Sequence, residues 1–212
     1  MTTARRLFAS ALGLMLALLA APLSAQLCAG LPMGKGQTAV GLTAGFPENA
    51  TSVGVDGRYK PTDDALIGLS YSLTSIDDDA GDDIPSQHTF GVRAGYSFTA
   101  PLAVEGPQLG ICPNAGVRYT DWEEINVYAI PLGVGFGTAF DLGDGSTRLS
   151  PYVNPSLVFS KLDADGAESD WENDVGITAG ANLIVTNLFF GALFTKVGDA
   201  DGVFGLQGGL VF

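Results

Sequence analysis

The sequence predicts an all-β fold, a single antiparallel up-and-down β-barrel of ten strands. Three observations carry that prediction. Apolar residues recur with a period of two in segment after segment, the mark of strands with two unlike faces. One face is bulky and apolar while the other is chiefly Gly, Ser, Thr and Ala, in a chain with 29 glycines among 212 residues. The connections alternate in character, and the two long acidic ones fall in the same set.

Residues 1–25 read as an export signal. Arg5 and Arg6 precede the apolar run Leu7–Ala21, and Pro22-Leu23-Ser24-Ala25 supplies a small residue at the cut. The run is shorter than the ~20 residues of a spanning helix. Ala25-Gln26-Leu27 ahead of Cys28 does not match a lipoprotein cleavage site. Residues 26–37 then form a segment ahead of the barrel, which occupies 38–212.

Strands are expected at 38–46, 51–60, 65–76, 88–99, 109–119, 126–140, 148–161, 174–185, 188–196 and 203–212. Merging or demoting two segments would give eight strands instead. The third strand sets Ile67, Leu69, Tyr71 and Leu73 against Gly68, Ser70, Ser72 and Thr74. In the fourth, Phe90, Val92, Ala94, Tyr96 and Phe98 oppose Thr89, Gly91, Arg93, Gly95 and Ser97. The sixth alternates Tyr128, Ile130, Leu132, Val134 and Phe136 with Ala129, Pro131, Gly133, Gly135 and Gly137. A soluble sandwich or lipocalin-like barrel would put charges opposite its bulky face. Here that face is small and nearly uncharged, which suits a narrow lumen. Pro131, Pro151 and Pro155 fall inside strands, where a closed sheet has no edge to excuse a missing donor. Bulges or lumen water are expected to absorb them.

The odd connections are 46–50, 75–87, 120–126, 162–174 and 197–202. The even ones are 60–64, 99–108, 141–147 and Thr186-Asn187. Beyond the signal, the nearest thing to a membrane helix is 125–140, but it holds Pro131 and alternates. A membrane location would therefore require a closed barrel.

The final segment, Val203–Phe212, places Phe204, Leu206, Gly208, Leu210 and Phe212 on one face. Val203, Gly205, Gln207, Gly209 and Val211 lie on the other. In this closing strand and in its architecture the chain resembles the small bacterial outer-membrane β-barrel proteins, the OmpA/OmpX-like and porin-like β-barrel domain group. Gln207 departs from that pattern by standing where a glycine is usual. The resemblance implies an outer-membrane location, with Phe204, Leu206, Leu210 and Phe212 as the signal read by the barrel assembly machinery. It also implies a monomer among outer-membrane lipids and lipopolysaccharide, with short turns and both ends in the periplasm. Tyr59, Tyr71, Tyr96, Tyr119 and Tyr128 would form the interfacial girdles.

The lumen face carries Asp56, Arg58, Arg93, Asn114, Arg118, Asp174 and Asn182, and a polar network centred on Asp56 with Arg58 and Arg93 is expected there. Its bland reading is that it fills and rigidifies a narrow barrel. Its functional reading is a constriction for small solutes; a general porin is not expected, because so few strands leave little bore. Cys28 and Cys112, the chain's two cysteines, both fall near the periplasmic end in an oxidising compartment. A disulfide between them would tie Leu27 to Gly36 into the barrel mouth as a partial plug, contributing roughly 4–5 kcal/mol on the entropic account.

The net charge is −13, and loss of Arg5 and Arg6 with the signal makes it more negative. Asp77, Asp78, Asp79, Asp82, Asp83, Asp163, Asp165, Glu168, Asp170 and Glu172 concentrate this charge on the outer loops, which should repel nucleic acid. Asp-Ala-Asp-Gly occurs at 163–166 and 199–202, but the full twelve-residue calcium loop is absent. Solvated loops are the plain reading; weak Ca²⁺ bridging to lipid phosphates is the sharper one. His88, the single histidine, lacks an adjacent aspartate like that of the omptin proteases, and Ser86-Gln87-His88 matches no acyl-transfer motif. No catalytic residue, metal site or cofactor is therefore expected. The expected role is envelope-structural or surface-interaction, with a small-solute channel, a surface enzyme or an exported soluble β-barrel as the alternatives.

Overall fold

The computed structural model describes residues 30–76, 86–101, 107–122, 125–143, 145–164 and 170–212. The chain forms β1 (Thr38–Phe46), β2 (Ala50–Tyr59), β3 (Ala65–Ile76), β4 (Gln87–Tyr96), β5 (Phe98–Pro101) and β6 (Gln108–Trp122). It continues through β7 (Ile125–Gly137), β8 (Phe140–Asp141), β9 (Thr147–Ala164), β10 (Trp171–Val185), β11 (Leu188–Val197) and β12 (Val203–Val211). Ten of these are staves of one antiparallel ring, and β12 pairs β1 from Ala39↔Val211 to Phe46↔Phe204 to close it. The short β5 and β8 continue β4 and β7 beyond a local break, pairing β6 and β9. The strand count is therefore the ten that the period-two pattern predicts.

The breaks have a covalent cause. Proline lacks the backbone donor that a ladder needs. Pairing between β4 and β6 stops at Gly95↔Asn114 and resumes with β5 at Phe98↔Ile111, and the skipped residues include Pro113. The β6–β7 ladder skips from Ala115↔Leu132 to Arg118↔Ala129 around Pro131, and β7–β9 skips from Gly133↔Ser156 to Phe136↔Val153 around Pro155. Register is the same on both sides of each gap. The prolines are thus absorbed by omitted rungs, and the bulges expected from the sequence are not needed. Opposite Pro151 the wall breaks between β7 and β8, while the Pro151 carbonyl still accepts from Thr138 N at 3.2 Å.

Burial is inverted relative to a water-soluble fold. Leu42, Val53, Leu69, Phe90, Val92, Val117, Leu157, Val175, Phe190, Phe204 and Leu206 stand exposed on the outer wall, while Ser52, Ser72, Thr74, Gln87, Thr89, Thr120, Asn154, Thr178 and Thr195 are buried inside. Each strand presents its bulky positions outward because alternate residues point to opposite faces, and that outer surface matches a hydrocarbon surround. Aromatic side chains gather near the strand ends: Tyr59, Tyr96, Phe98 and Phe140 toward the short turns, Tyr71, Phe90, Tyr119, Tyr128 and Trp171 toward the other rim. Tyr119 and Tyr128 rings lie 5.2 Å apart, and Tyr96 Oη donates to Asp64 Oδ2 at 3.1 Å.

The wall is uneven in height. A spanning strand needs ~9–11 residues, and β1 and β12 have 9 each, whereas β6 and β10 have 15 and β9 has 18. The excess lies on the outer side, where Trp122↔Ile125, Ile125↔Ala164 and Trp171↔Lys161 continue the ladders. These strands run further than the sequence suggests because loop residues there keep pairing.

Candidate functional site in the barrel lumen

Two rows of lumen residues cross four neighbouring staves. In one, Arg58 on β2 pairs Gly68 on β3, which pairs Arg93 on β4, which pairs Gly116 on β6. In the next, Asp56, Ser70, Gly91 and Arg118 follow the same path. Each arginine is flanked by a glycine, and the reason is space. A Cβ on Gly116 would lie 2.7 Å from Arg93 Cγ and 2.9 Å from the Val92 carbonyl, and one on Gly91 would lie 3.4 Å from Arg118 Cγ. The small face that marks the lumen in the sequence is therefore what admits long cations into a narrow bore.

Arg58 Nε donates to Asp56 Oδ2 at 2.6 Å, and both side chains are about 1% exposed. The Arg58 guanidinium also lies over the Phe189 ring, 5.8 Å from its centroid, within the range of a cation–π contact. Phe189 is wholly buried, lodged against Gly41 and Gly209. Arg93 and Arg118 are buried close by. Asp174 lies apart from this group. It sits on the lumen side of β10 but at the outer rim, where its Oδ1 crowds Gly198.

A second polar group occupies the opposite wall. Gln207 Nε2 donates to Asn182 Oδ1, and Asn182 Nδ2 donates to the Gly30 carbonyl. Gln207, the residue that departs from the usual closing-strand pattern, thus has a partner inside the lumen. Gly191 stands between Asn182 and Gln207 in the ladder, and a Cβ there would overlap the Asn182 side chain. Asn114 Nδ2 donates to Asn154 Oδ1 at 3.0 Å, while Thr89–Thr120 and Thr178–Thr195 hydroxyl pairs at 2.9 Å join neighbouring staves.

The segment ahead of β1 enters the same bore from the end that carries the short turns. Leu31, Met33, Ala39, Leu66, Ile184 and Phe189 form one buried apolar cluster. Lys60 Nζ donates to the Met33 carbonyl at 2.8 Å, and Gly30 presses on the Tyr152 ring. Cys112 is buried with 1% exposure, and the described residues include no free thiol. Cys28 lies outside the described residues, as do residues 1–25, expected to be an export signal, and Asp77, Asp78, Asp79, Asp82, Asp83, Asp165 and Glu168. A cavity of about 460 Å³ is left between the inserted segment and the wall, lined in part by Leu31, Met33, Lys60, Gln108 and Ser150.

Phe189, Leu31, Met33 and Tyr152 are lumen residues that sequence reasoning did not single out. The signal for Phe189 is present in Leu188–Val197, where period two puts one member of the Phe189-Phe190 pair inside, opposite glycines. His88 points the other way. It is exposed on the outer wall, with Nδ1 2.9 Å from Tyr71 Oη, so it belongs to the outer aromatic belt and does not face the lumen.

Polar inside, apolar outside and closed on itself, this is a transmembrane β-barrel. Residues 11–197 match the outer membrane protein beta-barrel domain family, and the chain belongs to that family and to the bacterial outer membrane. No curated protein matches the sequence. Among solved structures, the N-terminal β-barrel domain of Pseudomonas aeruginosa OprF is similar at 14% identity and a TM-score of 0.39, covering 85% of this chain and 100% of that one. The translocator domain of the autotransporter NalP from Neisseria meningitidis shows 11% identity and a TM-score of 0.43, covering 98% and 97%. LpxR from Salmonella typhimurium shows 13% identity and a TM-score of 0.43, covering 89% and 78%.

Proposed function

We propose that this protein is a monomeric outer-membrane barrel with a sealed bore, serving an envelope-structural or surface-interaction role and not general diffusion. The observation that carries this reading is the filling of the cross-section. Arg58, Phe189, Asn154, Asn182 and Leu31 are among the most buried side chains of the described residues, and all of them lie inside the barrel. A Cys28–Cys112 disulfide, on this reading, fastens the inserted segment at the periplasmic mouth. The tall outer ends of β6, β7, β9 and β10, with acidic loops beside them, form the surface offered to lipopolysaccharide, with divalent cations bridging carboxylates and lipid phosphates.

The test is conductance in planar bilayers, run on protein whose folding is verified by a heat-dependent shift in gel mobility. A sealed barrel inserts without steady conductance. Stable openings in folded wild-type protein would overturn the sealed-bore reading in favour of a small-solute channel.

A further inference from the structure

The described lumen holds three buried arginines against one buried aspartate. Burying charge is tolerable only when it is paired and hydrogen-bonded. Asp56 has given one oxygen to Arg58 Nε. Arg93, one rung over from Arg58 across Gly68, has no hydrogen-bond partner on either Nη1 or Nη2. It is 4% exposed, and the charges that reach it are Arg58, Asp56 and Arg118. A guanidinium that keeps both terminal nitrogens aimed into a bore containing two more cations presents the donor fork that an anion takes up.

We propose that the lumen of this barrel holds a small inorganic anion of the halide class, bound by the Nη1 and Nη2 groups of Arg93 and favoured by the charges of Arg58 and Arg118. Gly91 and Gly116 make room for the stems of Arg118 and Arg93 themselves. Asp56 limits the site from one side, since its second oxygen would repel a ligand carrying large negative charge. The balance of charge at the site therefore suits a monovalent anion better than a multiply charged one. This site does not depend on whether the bore conducts: a sealed barrel would trap the ion as it closes.

Bromide is the probe. Crystals of the full chain, refolded and crystallised in sodium bromide, should show an anomalous peak within hydrogen-bond distance of the Arg93 guanidinium. The peak should be absent in Arg93→Met. In detergent micelles at constant ionic strength, replacing gluconate with bromide should stabilise wild-type protein progressively as bromide rises above the dissociation constant. By linkage, each tenfold rise above the dissociation constant adds about tenfold to the folded-to-unfolded ratio before any competing binding to the unfolded chain. Arg93→Met should be insensitive to the exchange, and Arg93→Lys should retain part of it. Density showing Nη1 and Nη2 on water or on Asp56 Oδ1 alone, with equal stability in bromide and gluconate, would overturn the proposal. Should Arg93→Met fail to fold, the wild-type peak and the wild-type anion dependence still decide the matter.

Discussion

Thr186 opens the two-residue junction between β10 and β11 with a φ of 56°. A β-branched side chain is poorly accommodated there, and hairpins that need a positive φ at the first turn position prefer glycine. Thr186→Gly should therefore stabilise the barrel by about 1 kcal/mol, the scale of the left-handed penalty for an L-residue, read as a later urea midpoint in micelles. Asp56 makes the opposite case. Asp56→Asn removes the charge facing Arg58 Nε at 2.6 Å. Leaving one member of a buried pair uncompensated costs roughly 3–5 kcal/mol, so urea unfolding of this variant should shift strongly toward lower midpoints, and Arg58→Met in the same chain should restore part of the loss. At the outer rim, the Glu48 carboxyl is held above its usual range by a hydrogen bond to Asp201, by the Asp201 charge and by slight desolvation. At this one group the folded chain then binds more protons than the unfolded one just above the ordinary carboxylate value of 4.5. That contribution favours the folded state at low pH and is lost as pH rises. The difference in unfolding midpoint between wild-type protein and Glu48→Gln should therefore fall as pH rises across this window.

At the scale of the strand, period two was enough to read the ten staves and their faces, because a one-residue slip would turn every side chain to the wrong environment. Phe204, Leu206 and Leu210 stand outward and Val203, Gly205 and Gln207 inward, as the alternation of the closing segment requires. What was not legible came from neighbours that a single strand does not contain. The rungs omitted around Pro113, Pro131 and Pro155 depend on which adjacent strand each proline faces. The outer extensions of β9 and β10 depend on Trp171 finding Lys161. Membership of the lumen group was likewise legible for Asp56, Arg58, Arg93 and Arg118, which share two cross-strand rows. It was not legible that Asp174, on the same face of its own strand, would end at the rim, because strand tilt and unequal length set height in the barrel. Nor does alternation within β1 reveal that Leu31 and Met33, ahead of it, turn back into the bore.

For the molecule as a whole, the decisive junction is the seam between β1 and β12, since every other pair of staves is joined by a hairpin connection and this one must find itself. In lipid an unclosed edge leaves backbone donors and acceptors without partners, and that arrangement is not viable in the hydrocarbon region. The seam is also tightly packed. A Cβ at Gly209 would overlap the Val40 carbonyl, sit 2.7 Å from Gly41 Cα and meet Phe189 Cε1 at 2.7 Å. Two of those three neighbours are backbone, so they cannot swing aside, and Phe189 is itself wedged into the lumen cluster. Gly209→Val should therefore prevent closure and abolish the heat-dependent gel shift of the folded barrel, with the protein running at its unfolded position whether boiled or not. Gly57→Ala is the control: a Cβ there meets nothing within 4 Å, and its band should shift as wild type does. A Gly209→Val protein that still closed and shifted would mean that β1 and β12 can separate locally without loss of the ring, which would remove the seam as the step on which the whole barrel depends.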